Sequence, residues 1–435
     1  MVKKDYFGIL AFIALNRCIG KETLLVYIGD RSRRDRFVKK AIKEGHVKSR
    51  TIKVRKQNEK KQETFFVITK AGLYKLAQCG TDSWWSQVIP EEYDSFRLFD
   101  VQERRQEGYF RLLRKTSVLT MAESAGAYIP IEAYTEVKAR AFDFDDLSDQ
   151  EDVAMSEITW PEFLRNNLSQ ESYEKHSFLV MNNSDERLSS FAVFHSAMSM
   201  KTEIAKSVSH INYADVQRGR YIGIIDSHFK SLMIFAVSTF GMSWNEWMKK
   251  PENNAYAVWS KAHAVASQSQ LAKSGWTAAL MVKNPRQFAS LYHDICESEN
   301  AQQGISKDSF GGDFAHFYII PVRNEGVIHL KQLLFNSEPE LMASIIDSAV
   351  KALGYTRSEN QPQRKKCFSL VSPEGDEVSV GFMNDAKTML QIEAAALAEP
   401  DKNFGVLCYE WQLPYYEKIM PGNVWYVTYP NPKEA

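Results

Sequence analysis

Ser32-Arg33-Arg34-Asp35-Arg36-Phe37-Val38-Lys39-Lys40-Ala41-Ile42-Lys43-Glu44, closed by Gly45, is the stretch on which the reading of this chain turns. It opens with the S-x-x-D form of a capping box, so a helix starts at Ser32 or at Asp30 and runs to Glu44. At 100° per residue Phe37, Val38, Ala41 and Ile42 share one side, while Ser32, Arg36, Lys39, Lys40 and Lys43 fall on the other. The spacing predicts an inward apolar stripe and an outward basic one.

Working outward, Asp5 caps an apolar helix holding Phe7, Leu10, Phe12, Ile13 and Leu15, which ends in a Cys18-Ile19-Gly20 turn. Glu22 to Ile28 reads as a second helix stopped by Gly29. Beyond Gly45, Thr51 to Arg55 alternates with period two, Gln57 to Gln62 is polar, and Thr64 to Ile68 is β-branched and aromatic, which predicts a hairpin. Thr69 then caps a helix over Lys70 to Ala77. Three helices, a hairpin and a final helix within residues 1–80 have the order of a winged helix-turn-helix.

Charge divides the chain along the same line. The first eighty residues carry 20 Lys/Arg against 7 Asp/Glu, in a chain balanced at 54 against 54. The near-neutral pI of 7.1 is therefore an average over two unlike parts, and the basic part calls for an anionic partner. At 435 residues the chain exceeds what one core serves, so two or three domains are expected. Residues 81–128 read as a connector and a linking helix. Residues 129–435 read as an acidic α/β domain with a mixed sheet, giving an α/β fold within an α+β whole.

In that region strands are expected at Tyr221 to Ile225, Leu232 to Val237, Thr277 to Val282, Phe317 to Val322, Phe404 to Tyr409 and Asn423 to Thr428. Helices are expected at Tyr256 to Leu271, Gly326 to Phe335 and Asp385 to Leu397. Cys367 to Val371 and Glu377 to Phe382 form a hairpin around Pro373-Glu374-Gly375-Asp376. Six of the ten residues from Asp143 to Asp152 are acidic, the composition of a solvated loop. The apolar stretches Phe7 to Leu15 and Ser231 to Val237 fall far short of the ~20 residues that span a bilayer, so no membrane contact is expected. Five scattered cysteines without C-x-x-C spacing point to a reducing, cytoplasmic setting, no disulfide framework and no metal.

An α-helix fits the DNA major groove, and its first turns reach base edges there. Ser32, Arg33 and Arg36 are the candidate base readers, with Arg34 reaching a flanking phosphate. Lys39, Lys40 and Lys43 lie over phosphates, and Lys53, Arg55, Lys56, Lys60 and Lys61 form a basic wing. The competing reading is a solvated basic face. Catalytic signals are sparse: H-E-x-x-H, G-x-S-x-G, phosphate-loop and dinucleotide fingerprints do not occur in the sequence. Glu136-Val137-Lys138 has the short form of an E-x-K nuclease motif, and Asp226 is a further carboxylate candidate, but no Asp partner of that motif can be identified. Phe310-Gly311-Gly312-Asp313-Phe314 reads as a turn.

Several stretches beyond the basic helix carry a resemblance. Arg111-Leu112-Leu113-Arg114 through Ala122-Glu123-Ser124-Ala125-Gly126, then Arg220-Tyr221-Ile222-Gly223-Ile224-Ile225 into Leu232 to Val237, is similar to the replication-relaxation family of plasmids and integrative conjugative elements. His316-Phe317-Tyr318-Ile319-Ile320-Pro321 leading into Gly326 to Leu334, and Gly405-Val406-Leu407-Cys408, add to it. The resemblance implies a C-terminal region of restriction-endonuclease-like fold without an intact active site. It also implies DNA binding in replication or transfer of a mobile element, beside a relaxase or replication protein.

The leading expectation is thus a sequence-selective double-stranded DNA-binding protein, without cofactor, acting as a monomer or homodimer. One alternative is a ligand-responsive winged-helix regulator, for which Trp259, Tyr292 and Trp411 are read equally as pocket lining or as core. The other is a metal-dependent DNA nuclease.

Overall fold

Asp5 begins the first helix by accepting a hydrogen bond from Gly8 N on Oδ1 at 2.8 Å, which satisfies one of the amides a helix start leaves open. The computed structural model describes residues 5–16, 18–56, 59–78, 106–129, 192–196, 221–227, 229–236, 276–296, 314–358 and 367–431. Its elements make an α+β fold with mixed sheets. The N-terminal part runs α1 (Tyr6–Asn16), β1 (Cys18–Gly20), α2 (Lys21–Ile28), α3 (Arg31–Lys43), β2 (Val47–Lys56), β3 (Glu59–Ile68) and α4 (Lys70–Ala77).

Cys18-Ile19-Gly20 is a strand rather than the expected turn: it pairs antiparallel with Phe65 to Val67 and completes a three-stranded sheet in the order β1-β3-β2. The cause lies in β3. A β-branched and aromatic strand covered by β2 on one edge leaves a second edge whose amides need partners, and β1 supplies them. The hairpin also extends further than its alternation suggests, pairing from Val47 with Ile68 out to Lys56 with Glu59. Beneath the sheet Phe12 stacks on Tyr27 at 3.8 Å, and Phe37, Ala41, Phe66, Ile68, Leu73 and Leu76 close the core. Thr69 caps α4 as expected, its Oγ1 accepting from Gly72 N at 3.1 Å.

The linking helix is α5 (Gln106–Ser124). An unbroken run from Thr116 to Ala122 is buried, so this helix has no solvent face there. Its hydroxyls are accommodated by local bonds: Ser117 Oγ donates to Leu113 O at 2.8 Å and Thr120 Oγ1 to Thr116 O at 2.7 Å. Thr116 Oγ1 stands 2.8 Å from Leu112 O and 3.0 Å from Cys18 O, while Ser117 Oγ lies 3.0 Å from Thr23 Oγ1. One side of α5 thus packs on β1 and α2. The other packs Val118, Leu119, Met121 and Ala122 onto the next sheet, in a core that Val26 of α2 also enters. An ion pair between Glu63 of β3 and Lys283 ties the same two parts together.

Beyond residue 129 the described residues form two five-stranded mixed sheets where one was expected. The first has the order β4-β5-β6-β7-β8, from β4 (Ala192–Ser196), β5 (Tyr221–Ser227), β6 (Ser231–Ala236), β7 (Trp276–Val282) and β8 (Phe314–Pro321). Its β6, β7 and β8 are parallel. The second has the order β13-β12-β11-β10-β9, from β9 (Thr356–Arg357), β10 (Phe368–Val371), β11 (Glu377–Val380), β12 (Phe404–Tyr409) and β13 (Val424–Tyr429), with β11, β12 and β13 parallel. Helices α6 (Pro285–Cys296), α7 (Asn324–Phe335), α8 (Glu338–Leu353) and α9 (Ala386–Ala398), with the short turn α10 (Leu413–Tyr416), lie among them. Gly326 lets α7 approach β8, since a Cβ there would stand 1.8 Å from Pro321 O.

The sheets are joined where the chain leaves β11. Asn384, at φ 50, donates from Nδ2 to Ile319 O at 2.7 Å and accepts from Ile319 N on its own carbonyl at 2.9 Å. Asp385 accepts from Phe317 N at 2.9 Å and from Lys387 N at 3.1 Å, and its other oxygen lies 3.1 Å from His316 Nδ1. One carboxylate therefore caps α9 and anchors it to β8. A single core runs beneath both sheets, with Phe235, Phe288 and Phe317 packed beside Phe368, Phe404 and Tyr415.

Among the described residues no helix is long and apolar enough to cross a membrane. Cys18, Cys367 and Cys408 are free thiols, and burial pushes those of Cys367 and Cys408 up to about 12. A raised thiol pKa favours the folded state below the unfolded value and loses that contribution as pH climbs toward the folded one. Near neutral pH these thiols are held in the protonated form, and the thiolate is the reactive one. Iodoacetamide is therefore expected to leave Cys367 and Cys408 unmodified in the native chain and to label both in denaturant. Peptide mass spectrometry showing native labelling at the unfolded rate would contradict this burial. Predicted features at residues 81–100, 143–152 and 256–271 lie outside the described residues.

Candidate nucleic-acid interface

Helix α3 starts at Asp30, whose Oδ1 accepts from Arg33 N at 2.6 Å, so Asp30 and not Ser32 is the cap. Phe37 and Ala41 are buried on its inner side and fix its rotation about its axis. With that rotation set, Ser32, Arg36, Lys39 and Lys43 occupy an arc of about 60° facing away from the core, and all four are exposed. Arg31, Arg33 and Lys40 are exposed on its flanks.

Two expectations fail on this helix. Arg34 is only 2% exposed: its guanidinium bonds Asp35 Oδ1 through Nε at 2.9 Å and Nη2 at 2.7 Å, and lies 4.0 Å from Glu22. At its angular position the side chain points toward α2, so it does not reach out to a phosphate. The pairing holds the Asp35 carboxyl below the usual carboxylate range. Ile42, expected inside, is 43% exposed because its position is offset from the centre of the apolar stripe.

Lys40 is also engaged locally. Its Nζ lies 4.6 Å from the Tyr6 ring centroid and 3.9 Å from Glu44. The Tyr6 hydroxyl donates to Glu44 Oε2 at 2.9 Å and stands 2.8 Å from His46 Nδ1. Burial, then Glu44, pushes that phenol well above its ordinary range. The cluster pins the C-terminal turn of α3 to α1, so Lys40 contributes less reach than Lys39 or Lys43.

In the wing the backbone pairing sets Lys53 opposite Gln62, Val54 opposite Lys61 and Arg55 opposite Lys60. Like charges directly opposite each other oppose pairing, a cost that an anion between them removes. The side chains of Lys53, Arg55, Lys56, Lys60 and Lys61 lie outside the described residues. Sequence reasoning missed Lys48 and Arg50, both exposed on β2, because it started the strand at Thr51. Lys48 and Arg50 share their strand face with buried Ile52 and are followed by exposed Ser49 and Thr51, so alternation does not mark this earlier start.

The alternative sites fare differently. Glu136 and Lys138 lie outside the described residues, as does Trp259. Asp226 sits on β5 opposite Val193 and Ser231, but its side chain is outside them too. Among the described residues no group of three or more His, Cys, Asp or Glu side chains could hold a metal ion. Of the residues read as either pocket lining or core, Tyr292 and Trp411 are core: Tyr292 is fully buried and bonds Glu393, and Trp411 packs on Tyr415 at 6.1 Å. Lys230 is buried with its Nζ 3.4 Å from Tyr318 Oη and 5.0 Å from that ring, a cation held within the sheet.

Compared with known proteins, the chain matches no family model, no curated protein and no solved structure.

Proposed function

We propose that residues 5–78 act as a winged helix-turn-helix that binds double-stranded DNA with sequence preference, α3 entering the major groove and the β2–β3 hairpin flanking it. The reading rests on one observation: a helix anchored by Phe37 and Ala41 turns Ser32, Arg36, Lys39 and Lys43 outward along one line. The replication-relaxation resemblance supports a role for such a protein in the cytoplasm, in replication, transfer or regulation of a plasmid or other mobile element. The acidic region then serves a relaxase, a replication protein or a second copy.

The test is fluorescence-anisotropy binding of the full-length chain to a duplex selected from random sequence and to the unselected pool. Arg33→Ala with Arg36→Ala is expected to weaken the selected site by ~1–3 kcal/mol per lost base contact while changing the pool less. Unchanged affinity and unchanged preference would remove base reading from these residues.

A further inference from the structure

We infer that the groove between the C-terminal end of α3 and the outer edge of β2 takes an extended acidic peptide of a partner protein as an added strand. This goes beyond DNA binding and does not rest on it. In the sheet order β1-β3-β2, β2 is an edge strand ten residues long whose strand partner among the described residues is β3. On such an edge every second residue turns its N–H and C=O away from the sheet, a template for another chain.

An open groove of about 580 Å³ runs beside that edge, lined by Ile42, Gly45, Val47, Lys48, Ser49 and Arg50. Its layout suits a strand. Ile42 gives an apolar seat for one side chain of an incoming segment, and its 43% exposure is relieved by filling it. Gly45, at φ 73, has no atom within 4 Å of where a Cβ would be, so that wall stays open. Lys48 and Arg50, two residues apart and exposed, present cations at the spacing at which a paired strand presents alternate side chains.

The charge selects the occupant. A second copy pairing antiparallel on this edge would set Lys48 and Arg50 against like charges, which disfavours self-pairing. A segment alternating Asp or Glu with apolar residues meets the cations with one set of side chains and the Ile42 seat with the other. Edge cations that only prevent aggregation would not need the seat.

The experiment titrates the full-length chain into a labelled synthetic peptide alternating aspartate with phenylalanine and valine, followed by fluorescence anisotropy. Saturable binding is expected, weakened at least tenfold by Ile42→Asp and by Lys48→Glu with Arg50→Glu. N-methylation of one alternate set of peptide amides is expected to abolish binding, and that of the other set to leave it unchanged. Circular dichroism checks that the surface variants fold. Absence of saturable binding overturns the inference. So does binding that Ile42→Asp and both N-methylated peptides leave unaltered, which is charge attraction alone. A dimer dissociated by Ile42→Asp would give the groove to a second copy and equally overturn it, whatever the chain does with DNA.

Discussion

Arg36→Gln, Lys39→Gln and Lys43→Gln combined in one chain are expected to weaken binding to a random-sequence duplex on the order of a hundredfold at about 0.1 M salt. The slope of log affinity against log salt should fall by about 1.8, because Lys39 and Lys43 each contribute about 0.9 through released counterions while Arg36 reads a base. All three side chains are exposed, so thermal stability should stay near that of the parent. Glutamine keeps a polar side chain and removes the positive charge without adding a negative one, which separates lost attraction from new repulsion. Anisotropy titrations from about 50 to 300 mM salt give slope and affinity together. An unchanged slope would move the phosphate contacts elsewhere, and the proposed placement of α3 would fall with it.

Asp385→Ala is expected to destabilise the chain by about 2–4 kcal/mol. Two losses combine: a helix cap, worth about 1 kcal/mol, and a buried amide at Phe317 left without its acceptor, worth about 1–3 kcal/mol. Asp385→Asn retains an oxygen that can accept from Phe317 N and should recover about half of the loss. Because this residue joins β8 to α9 across the two sheets, the variant should lower one cooperative urea transition and not split it. A change below about 0.5 kcal/mol would show that the sheets hold together without this carboxylate, and a transition that divides would show that they unfold separately once it is lost.

How far the sequence could be read depends on how local the cause of each element is. Asp5, Asp30, Thr69 and Asp385 cap helices through amides two or three residues away, so those starts are written in short stretches. The basic arc of α3 was legible for the same reason, since periodicity alone sets it. Strand β1 was not: three residues carry no period, and what makes them a strand is an edge of β3 nearly fifty residues on. Arg34 shows the limit at single-residue scale. Its charge suggested a ligand contact, but Glu22 on the preceding helix and Asp35 beside it gave the cation a buried place. The division of the C-terminal strands between two sheets was likewise out of reach, because hydrophobic alternation marks strands without naming their neighbours.

Helix α5 has one further consequence. With Thr116 and Ser117 against Cys18 and Thr23 on one side and Met121 and Ala122 against the sheet on the other, it leaves the basic helix no swivel of its own. If α3 reads DNA as proposed, a helix fixed in this way to its body would convert the polarity of an asymmetric DNA sequence into a compass bearing. The order of bases under α3 would decide on which side of the site the rest of the molecule stands, and so which neighbour along the duplex it can meet.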